Sequence, residues 1–204
     1  MKIKIMLFGI LIFSQVHSQD IKTDDFQKML DHQNLSFSIP EGFRVGKNML
    51  DYNWCEDNQN NKKIVKTLIS EDESILVGIT LQPLESEETI ALIKKMVPNY
   101  NPELAFNKYI LSIIDPTDKY SFKYAPAFLK KKFNADIGYI FRRACTNNYL
   151  DKYSNNKIVM ISKKGHGFFM LSVLYKDGVE NIKQKIINHI SHVLKFKEEK
   201  KVEE

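Results

Sequence analysis

Between Lys157 and Tyr175 two runs rich in β-branched and aromatic residues, Lys157 to Ser162 and Phe168 to Tyr175, flank Lys163-Lys164-Gly165-His166-Gly167. Glycine reaches positive φ without steric cost, which a tight hairpin connection requires, so the segment predicts an antiparallel hairpin. Both runs are expected to be central strands of a sheet.

A second strand pair has the same form. Lys63 to Ser70 and Ile75 to Leu81 are separated by Glu71-Asp72-Glu73-Ser74, a solvated acidic turn. Leu35-Ser36-Phe37-Ser38-Ile39 alternates apolar and polar residues with Leu35, Phe37 and Ile39 directed to the core, and Pro40-Glu41-Gly42 ends it. Asp136 to Cys145 is expected as a further strand.

Helices are read between and beside these strands. Phe26, Met29 and Leu30 recur at helical spacing in a polar stretch. Ser86 precedes Glu87-Glu88 and the apolar residues Ile90, Ile93, Met96 and Val97, with Lys94-Lys95 near the end and Pro98 as a stop. That is an N-cap with charges placed as the helix dipole favours. Pro102 opens a helix carrying Leu104, Ala105, Tyr109, Ile110 and Ile113, and Pro126 to Lys132 allows one or two turns. Asp177 is expected to cap a closing helix whose Val179, Ile182, Ile186, Ile187, Ile190, Val193 and Leu194 form one broad stripe. Strands and helices do not alternate regularly. The fold class is therefore α+β: a mainly antiparallel sheet flanked by helices, with the C-terminal amphipathic helix packed on it.

The first residues constrain location. Lys2 and Lys4 precede an apolar run from Ile5 to Phe13, and Val16-His17-Ser18 places modest side chains before Gln19, the order of a cleavable signal peptide over residues 1–18. The run is far below the ~20 residues that span a bilayer. The mature chain is expected to begin near Gln19 as a single domain over 19–204, with its core over about 35–197, no membrane span, and a secreted or periplasmic location. Cleavage removes two lysines and no acid, lowering the formal charge from +5 to +3. Charges are interleaved apart from Lys130 to Lys132 and the tail, so no nucleic-acid partner is indicated.

Motifs that carry chemistry are absent: there is no G-x-S-x-G elbow, dinucleotide turn, Walker-type loop or H-E-x-x-H helix. His189 and His192 are three apart, but zinc wants three or four ligands and no partner stands at a matching spacing. One of the two is expected at the core margin and the other on the surface. His166, between two glycines, is expected to be an exposed turn residue. Asp24-Asp25 and Glu87-Glu88 open helices, where the dipole accounts for them. Arg142-Arg143, Lys130 to Lys132 and Lys163-Lys164 with Phe133, Tyr139 and Phe141 would make a basic aromatic face only if they converged, and adjacent strand residues point to opposite faces. No catalytic, cofactor or metal residue is assigned, and no cofactor is expected.

Cys55 and Cys145 are the only cysteines and 90 residues apart, which excludes a C-x-x-C redox motif. In an oxidising compartment they are expected to form a disulfide, with two separately buried thiols as the alternative.

The opening Leu35-Ser36-Phe37-Ser38-Ile39-Pro40-Glu41-Gly42-Phe43, the late strand hairpin and the closing His192-Val193-Leu194-Lys195-Phe196-Lys197 together resemble the PsbP/DcrB-like superfamily of small exported or lumenal proteins. Phe133-Asn134-Ala135-Asp136 adds to the likeness, while the Leu-Lys-Phe-Lys finish matches a Ser-Phe-Lys-like ending only in part. The resemblance covers residues 35–197 in outline. It implies an antiparallel sheet flanked by helices and a non-enzymatic accessory or binding role toward a protein or small ligand at the cell envelope. The alternative is a secreted or periplasmic hydrolase with a site assembled from scattered residues.

Overall fold

A computed structural model describes residues 25–46, 64–113, 121–142 and 152–198. The leader expected at 1–18, Cys55, Cys145 and Arg143 lie outside these residues.

The two sequence-evident hairpins meet in the middle of one antiparallel sheet. Strands β3 (Lys66–Ser70) and β4 (Ile75–Pro83) form one, and β7 (Asn155–Lys163) and β8 (Gly167–Tyr175) the other. β4 and β8 pair along their whole lengths, with Val77 opposite Val173 and Pro83 opposite Gly167. With β2 (Phe43–Val45), β5 (Phe122–Lys123) and β6 (Ile137–Phe141) the seven strands run in the order β2-β3-β4-β8-β7-β6-β5. Every neighbouring pair is antiparallel. β6 is shorter than the strand expected from Asp136. The Asp136 carboxylate instead accepts the Lys164 backbone N–H at 2.8 Å, tying the start of β6 to the β7–β8 turn.

Strand alternation divides the central residues between two cores. Val77, Ile79 and Leu81 of β4 share one face with Phe169, Leu171 and Val173 of β8. That face is covered by helix α1 (residues 25–32), α4 (Pro126–Phe133), α5 (Ile182–Asn188) and a separate two-stranded sheet of β1 (Leu35–Phe37) and β9 (Leu194–Phe196). Leu76, Ile158, Met160, Met170 and Leu174 face the other way, where Phe106 and Ile110 of α3 (Pro102–Ile113) meet them. Two covered faces are what the continuous apolar runs require.

Three expectations are corrected. The closing helix is broken: Asp177 accepts from Asn155 Nδ2 at 2.7 Å instead of capping it, and α5 begins after Asn181 in the left-handed region (φ 54°). A 3-10 turn, Ile190–His192, follows α5, and Leu194 to Phe196 become β9. Leu194, Lys195 and Phe196 satisfy the backbone groups of Phe37, Ser36 and Leu35, which no strand of the large sheet pairs. Over so short a run, helical and strand periodicities place the same apolar residues inward, so the pattern cannot separate them. Second, β1 stops at Phe37, and Ile39, expected in the core, is 46% exposed. Third, both His189 and His192 are exposed, whereas half-buried His166 packs its ring 5.9 Å from that of Phe196.

Buried amides fix the joints between layers. Asn134, at the left-handed end of α4 (φ 50°), donates from Nδ2 to the Phe196 and Lys197 carbonyls at 3.2 and 2.9 Å. Gln33, fully buried beyond α1, directs its Nε2 to the carbonyls of Gln82, His166 and Phe168 at 2.8, 3.2 and 3.1 Å. One side chain thus clamps the end of β4 to the β7–β8 turn.

Candidate binding surface

Past Pro83 the chain leaves the sheet through Leu84 and Glu85 and enters α2 (Glu87–Met96). Ser86 caps this helix as expected, its hydroxyl accepting the Thr89 N–H at 3.1 Å, with Glu87 and Glu88 in the first turn and Lys94 and Lys95 in the last. The apolar residues behind the cap do not enter a core. No side chain of α2 is buried: Ile90 and Ile93 are half-covered, whereas Leu92 is 53% and Met96 78% exposed, with Val97 beside them.

The base of α2 is closed by one contact. The Tyr100 hydroxyl donates to Glu85 Oε2 at 2.8 Å, joining the chain before the helix to the chain after it. The bond to this carboxylate, followed by burial, raises the phenol above its usual pKa, so Tyr100 remains a donor at neutral pH.

Beside that clasp, where Pro102 starts α3, a cleft of about 190 Å³ opens against the β7–β8 turn. Phe106, Tyr109 and Phe168 form its apolar wall, Phe168 lying 5.0 Å from Phe106 and 5.9 Å from Tyr109 between ring centroids. Glu85, Tyr100 and Lys164 stand at its polar side. The turn comes close because position 167 lacks a side chain. A Cβ there would lie 2.3 Å from the Gln82 carbonyl oxygen and 2.6 Å from the Leu84 nitrogen.

Lys163 and Lys164 both contribute to the cleft, although Lys163 also reaches across the sheet edge to within 6.0 Å of the Phe196 ring centroid. The aromatic members of the basic aromatic set do not converge on the cleft. Phe133 and Phe141 are fully buried in different cores, and Tyr139 is half-buried with the Lys123 ammonium 5.8 Å from its ring centroid. Among the described residues no group of three or more metal-ligating side chains gathers, and no helix is long and apolar enough to cross a membrane.

The exposed side of α2 was not legible as such, because an amphipathic period shows that a helix has an apolar stripe and not what lies against it. Tyr100 and Glu85 carry no shared motif, and folding alone brings them together. Comparison with family models, curated proteins and solved structures finds no match to this chain.

Proposed function

We propose that this is an exported, non-enzymatic accessory protein that binds a protein partner at the cell envelope through α2 and the adjoining cleft. The carrying observation is the exposure of Leu92, Met96 and Val97 on a helix that buries none of its own residues. Leaving such half-exposed to mostly exposed side chains in water forgoes roughly 1–2 kcal/mol for each that a partner could cover. The cleft favours a protein over a small ligand. Its volume of about 190 Å³ falls below the roughly 300–1,000 Å³ of small-molecule sites, but suits one apolar anchor side chain of a partner seated on α2. Export rests on the signal-peptide order of residues 1–18, and the resemblance to PsbP/DcrB-like proteins points to the same accessory role.

Placing a photo-crosslinking side chain at Met96, with a control at exposed Lys183 on α5, tests the surface in the native envelope. A discrete protein adduct is expected from Met96 alone, and it should disappear when Leu92→Asp is added. The same adducts from both positions, or none from Met96, would overturn the partner surface, and a mature mass that retains residues 1–18 would overturn export.

A further inference from the structure

Away from α2, the end of α4 packs on both the 3-10 turn and β9, near two lysines and two histidines from four places in the chain. Half-buried Lys132 lies in the last turn of α4, His189 follows α5, His192 closes the 3-10 turn, and half-buried Lys195 is the middle residue of β9. The Lys132 ammonium stands 3.4 Å from His192 Nε2. Lysine has no acceptor, so it donates to the ring and His192 is held neutral with its lone pair toward Lys132. Among the described residues no carboxylate contacts any of the four.

The arrangement is built by other contacts. Asn134, two residues past Lys132, fastens α4 to β9 through the Phe196 and Lys197 carbonyls, while the Ser38 and Ser36 hydroxyls donate to the His192 and Lys195 carbonyls at 2.7 and 3.0 Å. The fold therefore holds two lysines and two histidines near one another, and among the described residues no carboxylate contacts them. The dipole of α4 accounts for lysines at its end, but not for one turned onto a histidine beside another lysine and histidine.

We propose that Lys132, His189, His192 and Lys195 form a binding site for a tetrahedral oxyanion, a phosphate or sulfate group, either free or carried on a lipid headgroup. Such an anion replaces the lysine-to-imidazole contact with donors from both groups: Lys132 donates through Nζ, and His192 takes up a proton from solvent and donates through Nε2. In the free protein burial, then Lys132, His189 and Lys195, hold the His192 pKa below its ordinary value. The ionisable groups that act on His192 are thus Lys132 from α4, His189 from the end of α5 and Lys195 from β9, with Ser38 on its backbone carbonyl, and none of these carries a negative charge. A bound oxyanion reverses that balance, so anion and proton binding support each other.

The test follows the histidine ring resonances of the full mature protein during sulfate titration at constant ionic strength, since sulfate keeps its charge between pH 5.5 and 7.5. A saturable shift confined to His189 and His192 is expected, with a midpoint at least threefold lower at pH 5.5, and with saturation lost in Lys132→Ala/Lys195→Ala. A linear drift shared with His32 and His166, or saturation that survives the double substitution in a folded protein, would overturn the site. Phosphatidylglycerol vesicles at matched phosphate concentration distinguish the sources: a midpoint at least tenfold lower than for inorganic phosphate assigns a lipid-borne group, and equal midpoints assign the free anion.

Discussion

Two alanine substitutions in one turn measure how tightly the β7–β8 turn is pressed against the end of β4. Gly165 and Gly167 both have positive φ, 78° and 88°, so either substitution carries the left-handed backbone cost of roughly 1–2 kcal/mol. Around Gly165 a Cβ meets nothing within 4 Å. At Gly167 it would lie 2.3 Å from Gln82 O, 2.6 Å from Leu84 N and 2.8 Å from Pro83 C, all of them backbone atoms that cannot swing aside as a side chain end can. Relief requires the end of β4 and the start of β8 to separate, which breaks the Pro83–Gly167 register and pulls Gln82 O and Phe168 O apart while Gln33 binds both. Losing one or two of these buried hydrogen bonds adds about 1–3 kcal/mol each. Gly165→Ala is therefore expected to cost about 1–2 kcal/mol and Gly167→Ala about 3–5 kcal/mol. In equilibrium urea unfolding, with an m-value near 2 kcal/mol/M, the two midpoints should differ by roughly 1–2 M. Midpoints within about 0.3 M of each other at equal m would refute the reasoning, because both positions would then be limited by φ alone.

Three further outcomes follow from the same kind of argument. Replacing Gln33 with leucine leaves three carbonyls without their donor and should destabilise by about 2–4 kcal/mol, lowering the melting temperature by roughly 5–15 °C in calorimetry. Asp72 accepts from the Ser70 hydroxyl, the Ser74 N–H and the Ser74 hydroxyl, in that order of effect, which lowers its pKa from 3.8 to about 2. Because the folded-state pKa is the depressed one, this stabilisation is present above about pH 4 and lost as pH falls toward 2. Urea midpoints of the native protein should accordingly drop more between pH 5 and 2.5 than those of Asp72→Asn, and parallel drops would contradict the assignment. Finally, Cys55 and Cys145 are expected to resist alkylation in non-reduced exported protein, and complete labelling of both thiols would show that they are not joined.

What the sequence alone determined is what neighbouring residues decide among themselves. The β3–β4 and β7–β8 hairpins follow from β-rich runs around short polar or glycine turns, and the positive φ of Gly165 and Gly167 is the conformation that such a turn wants. Ser86 at the cap of α2 and Pro102 at the head of α3 are equally local, since capping satisfies backbone groups within one helical turn. The α+β class follows from the order of these elements. Tertiary structure decided everything that needs a distant partner. Residues 190–196 carry a stripe that suits a helix, yet β9 forms because Leu35 to Phe37 offer it unpaired backbone from the opposite end of the chain. The α2 stripe reads like any core helix, and only the packed molecule leaves Leu92 and Met96 in solvent. The approach of Lys132 to His192 belongs to this second kind, because their separation is set by how α4 settles on β9, and the interactions that seat it, Asn134 with the Phe196 and Lys197 carbonyls, join segments with no common local pattern. Periodicity and capping act over two to four residues, whereas sheet order, burial and charge neighbours depend on closing long loops around a shared core, which no local window contains.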